Sequence, residues 1–229
     1  MTIDLNCDLG EGAAHDAELM SLITSANIAC GAHAGDRDTM RATVALAQAH
    51  DVTIGAHPGY ADRVNFGRTE VPMSPRALGQ LVLGQVAQLC DMATVRHVKP
   101  HGALYNLAAR DAAVAAVIAE AVHALDASLV LFALRGSELG RAGRARGLRV
   151  AEEVFADRTY RADGSLTPRA EPGALITDVA ESVAQALRFA HEGADTICLH
   201  GDGPHAVAFA RRLRVELAAA GVVVKSFGS

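Results

Sequence analysis

Thr196-Ile197-Cys198-Leu199-His200-Gly201-Asp202-Gly203-Pro204-His205-Ala206 is the stretch that decides between the two common parallel α/β architectures. A short apolar run with strand character meets a glycine-rich polar loop. After Pro204 a helical stripe follows through Val207, Ala210, Leu213 and Leu217. Gly201 to Ala206 matches G-x-G-x-x-A, the spacing of a dinucleotide fingerprint. As a fingerprint it fails, because it lies near the C-terminus and no acidic residue stands about 20 positions further on to meet a ribose. The helix beginning near Pro204 could still present N–H groups to an anion. What remains is a strand that ends in a histidine-bearing loop.

The same unit recurs along the chain. Strand-like segments lie at Ile3–Cys7, Asn27–Cys30, Val52–Ala56, His97–Lys99, Leu129–Ala133, Val150–Glu153, Thr196–Leu199 and Val222–Lys225. They are short and mostly apolar, as expected of parallel strands covered on both faces. Between them run helical stripes: Leu78, Leu81, Val82, Val86 and Leu89 after the Ser74-Pro75 start, then Val114 to Leu125, then Val179 to Ala190. Strands alternating with helices predict a parallel α/β fold. Polar residues follow nearly every strand, whereas an open sheet concentrates its site at one switch point. The expectation is therefore one domain over 1–229, a TIM-like parallel β/α barrel of seven or eight strands with its site at the mouth. Two longer loops, 57–73 and 155–177, suit lids or substrate loops.

Composition narrows the function. Half the residues are apolar but only 4% are aromatic, and net charge is −5, so nucleic acid is not an expected partner. The densest basic stretch, Arg135 to Arg149, reads as a solvated helix face. Nothing approaches a membrane span and the N-terminus lacks a signal-peptide pattern, so a cytoplasmic protein without a membrane partner is expected. Cys7, Cys30, Cys90 and Cys198 show no CxxC spacing and read as thiols, Cys30 beside Gly31 being the best candidate for more. No G-x-S-x-G elbow and no P-loop is present.

The candidates for chemistry sit just past the strands. Asn6, Asp8 and Glu11 follow the first, His33 and Asp36 the second, and His57 the third. Lys99, His101, Tyr105 and Asn106 follow the fourth, Glu153, Asp157 and Arg158 the sixth, His200 and Asp202 the seventh. Histidines past four different strands point to one functional constellation. They can move protons near neutral pH, and carboxylates can activate water. Lys99 and Arg158 could stabilise oxyanion or phosphoryl charge. The same set could hold a divalent metal, with Asp8, His33, His57 and His200 as candidate ligands, although no HExxH-type signature fixes that choice.

Several blocks together resemble the LamB/YcsF family, described as the A component of an ATP-dependent 5-oxoprolinase. They are Asn6-Cys7-Asp8-Leu9-Gly10-Glu11, Asn27–Asp36, Ile54–Tyr60, Phe66-Gly67-Arg68, His97–Asn106, Glu153–Arg158 and His200-Gly201-Asp202, in order from end to end. Ala32 and Gly203 stand where the family carries larger side chains, which would widen the pocket. The resemblance implies a deacetylase-like barrel that hydrolyses 5-oxo-L-proline to L-glutamate, with ATP as co-substrate and 5-oxoprolinase subunits B and C as partners. Assigned by chemistry, Asp8, His57, Lys99, His101, Glu153, Arg158, His200 and Asp202 are the catalytic candidates. Asn6, Glu11, Asn27, Cys30, His33, Asp36, Arg68, Tyr105 and Asn106 are the substrate-binding ones. Two alternatives are a stand-alone metal-dependent amidohydrolase or carbohydrate deacetylase, and a non-catalytic subunit that binds a small acid.

Overall fold

The structure, a computed structural model, describes residues 1–201 and 206–228. Its strands are β1 (Thr2–Leu9), β2 (Ser25–Ala29), β3 (Thr53–His57), β4 (His97–Val98), β5 (Val130–Leu134), β6 (Arg149–Phe155), β7 (Thr196–Leu199) and β8 (Val223–Val224). The helices are α1 (Asp16–Met20), α2 (Arg37–Ala49), α3 (Pro75–Cys90), α4 (Gly102–Arg110), α5 (Ala112–Leu125), α6 (Glu138–Ala145), α7 (Val179–His191) and α8 (Ala206–Ala219). Strands β1 to β7 pair in chain order, all parallel, and β1 closes the ring by pairing with both β2 and β7. The barrel has seven strands. The run expected at Val222–Lys225 is reduced to β8, which joins only Thr2 and Ile3, because β7 occupies that edge of β1 from Asp4 onward.

Strand β1 explains the interior. Its side chains alternate, and Ile3, Leu5, Cys7 and Leu9 join the large core between barrel and helices. Asp4, Asn6 and Asp8 face the other way, into the barrel, where Ser25, Asn27, His97, Lys99, Glu153 and Thr196 meet them in a continuous hydrogen-bonded set. The rest of the interior is apolar: Val130, Phe132 and Ala151 form one cluster, and Tyr105, Leu134, Phe155, Leu166 and Cys198 another. A barrel interior half filled with paired polar groups is stable only if each group is satisfied.

Gly55 makes room for this filling. A Cβ there would lie 2.0 Å from Nε2 of His97, so a glycine on β3 lets the β4 imidazole cross the interior and stack on Phe132 with ring centroids 4.2 Å apart. The helix caps follow the sequence signals: Ser74 accepts from the Ala77 N–H at the start of α3, with Pro75 in the first turn. The arginine-rich stretch is a solvated face, with Arg141 paired to Glu138 at 2.7 Å and Arg144 to Glu152 at 2.5 Å. No described helix is long and apolar enough to cross a membrane.

Candidate active site

The strand ends open into a cavity of about 1000 Å³. Its floor is built around Lys99, which is 2% exposed. The ammonium lies 2.9 Å from Asp8 Oδ1 and 2.9 Å from Glu153 Oε1, and it donates to Asn6 Oδ1 at 3.2 Å and Cys198 Sγ at 3.0 Å. Asn6 donates to Glu153 at 2.9 Å and to Thr196 at 2.7 Å, and Asn27 donates to Asn6 at 2.7 Å and Asp8 at 2.8 Å. Tyr105 donates to the other Glu153 oxygen at 2.6 Å. Burial alone would lower the Lys99 pKa, but Asp8, Cys198 and Glu153 more than reverse this and raise it well above the usual value. Burial would likewise raise Asp8, yet His57 and Lys99 hold it well below the carboxylate range. The floor is thus a fixed ionic lattice, and Asp8, Lys99 and Tyr105 are its members that reach the cavity.

One side of Asp8 carries a histidine cluster. His57 Nε2 lies 3.3 Å from Asp8 Oδ2 and 2.9 Å from His101 Nδ1. The other nitrogens of both rings are committed to carbonyls: His57 Nδ1 donates to Lys99 O at 2.7 Å, and His101 Nε2 to Phe66 O at 2.8 Å. In neutral rings the two facing nitrogens would both be lone pairs. A proton or a cation must therefore sit between them. Burial lowers the His57 pKa, but Asp8 and Glu11 outweigh it and leave the pKa raised; burial and the neighbouring His57 and His33 push His101 down to about 2. Glu11 Oε1 completes the cluster, 3.0 Å from His33 Nε2, 3.3 Å from His101 Nδ1 and 3.8 Å from His57 Nε2.

These donors fit a divalent ion in part. His57, His101 and Glu11 converge with Asp8 alongside, and such spacings are those of ligands sharing one ion with bonds of roughly 2 Å. His33 does not fit the same ion. It is stacked on His101 with centroids 3.8 Å apart and planes 2° from parallel, so no ion lies in both ring planes. Its buried Nδ1 has no partner among the described residues, and its Nε2 positions Glu11. A metal held here would act as a Lewis acid and a source of activated water. Of the expected ligands, His33 and His57 fall in one donor group with Glu11 and His101, from which the ring stacking sets His33 apart; Asp8 lies 3.3 Å from His57 and groups on its other side with Cys198 and His200.

On that other side His200 Nδ1 donates to both oxygens of Asp157, at 2.8 and 2.9 Å, and its ring rests on Phe155. With Nδ1 donating, Nε2 is the acceptor in the neutral ring. The remaining wall comes from Phe66 and Arg68 of the 57–73 loop, from Tyr105 and Asn106 on α4, and from Arg158, Leu166, Pro168 and Arg169 of the β6–α7 excursion. Both long loops thus reach the site, as expected of lids or substrate loops.

Some predicted residues lie elsewhere. Asp36 is exposed and caps α2 by accepting from the Thr39 N–H. Cys30 is buried away from the cavity, donates to Ile28 O at 3.3 Å, and burial pushes its thiol up to about 12, which removes it as a nucleophile at neutral pH. Asn6, Asn27 and Glu153 belong to the floor without lining the cavity, and Ala32 is not part of the cavity wall. Asp202 and Gly203 fall outside the described residues. Sequence reasoning passed over His97, whose Nε2 donates to Asn27 at 2.8 Å, and Arg169, and gave Asp157 no role. The period-2 pair His97-x-Lys99 was the available signal for the first.

Among solved structures, the chain is similar to a lactam utilization protein from Thermus thermophilus, with a TM-score of 0.92 at 42% identity over 99% of this chain and 100% of that one. More distant likeness, which concerns the fold alone, extends to the catalytic domain of a peptidoglycan N-acetylglucosamine deacetylase from Eubacterium rectale ATCC 33656 (TM-score 0.57, 11% identity, covering 100% of this chain and 89% of that one). It extends also to the T48 deacetylase (TM-score 0.55, 14% identity, 98% and 87%). The barrel is of the kind these deacetylases share. Residues 3–229 match the LamB/YcsF family, and with the motif-bearing loops gathered around one cavity the chain belongs to that family.

Proposed function

We propose that this chain is a lactam-opening hydrolase component, acting on 5-oxo-L-proline with ATP as co-substrate and with two partner subunits, B and C. The observation that carries the reading is the position of Asp8. It is locked to Lys99 beneath and flanked by His57 at 3.3 Å, while the Asp157-held His200 presents its Nε2 toward the same cavity. A small cyclic amide above Asp8 would have a proton acceptor on one face and a proton-bearing cluster on the other.

A five-membered lactam is a resonance-stabilised amide that resists water. Transfer of the terminal ATP phosphoryl group to its carbonyl oxygen makes the ring carbon electrophilic. Water, losing its proton to His200, attacks that carbon. The C–N bond breaks, the nitrogen takes a proton from the His57 side, and a further water releases phosphate to leave glutamate. Lys99 holds Asp8 in place during these transfers. No P-loop is present in the sequence, which agrees with partners sharing the nucleotide. The experiment is reconstitution: glutamate is expected from 5-oxoproline only when ATP, this chain and both partners are present. Release by this chain alone without ATP would refute the reading.

A second reading, metal-dependent amide hydrolysis, is favoured by the facing nitrogens of His57 and His101. It requires a stoichiometric divalent ion in the purified protein and loss of turnover on chelation. Elemental analysis of the same preparation used for reconstitution separates the two.

A further inference from the structure

Among the described residues, Arg158 is a buried cation without a carboxylate in ion-pair contact. It is 4% exposed, and its guanidinium donates to main-chain carbonyls, Nε to Ala174 O at 3.2 Å and Nη2 to Thr167 O at 2.5 Å. Asp157, its neighbour in the chain, has both oxygens engaged by His200. Burying a charge without an ion-pair partner costs several kcal/mol, and Asp157 acts on this guanidinium only from beyond ion-pair contact. Arg158 lines the cavity, and Arg169 of the same excursion lines it too, close enough for its charge to press on the Arg158 guanidinium.

We propose that Arg158, with Arg169 beside it, is the subsite for the carboxylate of a lactam acid. This rests on the lactam-opening reading and deepens it, since a neutral lactam or an N-acetyl group has no use for a buried guanidinium. The planar fork suits a carboxylate, which it can grip through parallel hydrogen bonds. In 5-oxoproline the carboxylate and the amide carbonyl flank the ring nitrogen on opposite sides. Anchoring the carboxylate on the wall beside His200 turns the nitrogen and carbonyl toward Asp8. The carbonyl contacts to Thr167 and Ala174 keep the guanidinium from swinging away, so the subsite is set before the ligand enters.

The test is titration calorimetry of the full chain with 5-oxo-L-proline, with 2-pyrrolidinone (the same ring without the carboxylate) and with ATP. The acid is expected to bind at least about 10-fold more tightly than the neutral ring. Arg158→Lys and Arg169→Met are each expected to weaken the acid by about 10-fold or more and leave 2-pyrrolidinone within about 2-fold. Thermal unfolding checks that the excursion still holds in Arg158→Lys, and Arg169→Met gives the same reading if it does not. Equal affinity for acid and neutral ring, or acid binding indifferent to Arg169→Met and to a folded Arg158→Lys, overturns the subsite. So does ATP binding that responds to the variants while the acid does not, which would assign the arginines to phosphate. If the chain binds no lactam acid, the subsite falls, and turnover in the reconstituted enzyme decides separately whether the lactam reading falls with it.

Discussion

Lys99→Met is expected to lower folding stability by about 3–5 kcal/mol and to abolish turnover. The side chain is 2% exposed and its ammonium stands 2.9 Å from each of two carboxylates, Asp8 and Glu153, of which Glu153 is fully buried. Removing the cation leaves both charges facing each other inside the barrel. The loss comes mainly from these stranded carboxylates, so it should shrink at acid pH, where they can take up protons. It should also shrink in the double variant Lys99→Met with Glu153→Gln, which removes one of the two. Urea unfolding of the single and double variants measures this. A single variant as stable as the parent would mean that the ionic floor is not what organises the interior.

His200→Asn should act the opposite way, with a large effect on rate and a small one on stability. The imidazole sits at the cavity edge with 13% of its side chain exposed, its Nδ1 spent on Asp157 and its ring on Phe155. Its ring contacts the interior residue Phe155 and its Nδ1 holds Asp157, but Asn offers a donor to Asp157 from the same place, so the expected cost is about 1 kcal/mol. In the proposed reaction its loss removes the acceptor for the water proton, which predicts a fall in turnover of roughly 10²–10⁴-fold. Asp157→Asn should give a smaller fall, because it disturbs the tautomer and leaves the ring present. Steady-state turnover of the reconstituted enzyme, with melting curves alongside, reads both. Turnover within a few-fold of the parent would remove His200 from the chemistry.

Much of this molecule is written locally. The strand segments are short apolar runs, and the Ser74-Pro75 start is realised as a capped helix with proline in its first turn. The four histidines follow four different strands, and closing a parallel barrel necessarily gathers strand ends at one mouth. Pair partners are not local. That Asp157 serves His200, or that Lys99 bridges Asp8 and Glu153, depends on strand register across 43, 91 and 54 positions, which no window contains. The polar interior was hidden for a related reason. Asp4, Asn6 and Asp8 alternate with apolar residues as a solvated strand would, and only closure turns that face inward. Asp36 misled because an aspartate after a strand is equally the cap of the next helix, which is what it is here.

The central claim is that the groups gathered around Asp8 perform the ring opening and do more than hold an acid for a partner. Asp8→Asn in the reconstituted enzyme tests it most directly, because Asn keeps the shape and a hydrogen bond but removes the charge between His57 and Lys99. 5-Oxoproline binding and glutamate formation would be measured on the same sample. The account predicts binding within a few-fold of the parent and turnover lower by about 10³-fold or more. Turnover that survives, or that is lost only in step with binding, would contradict it.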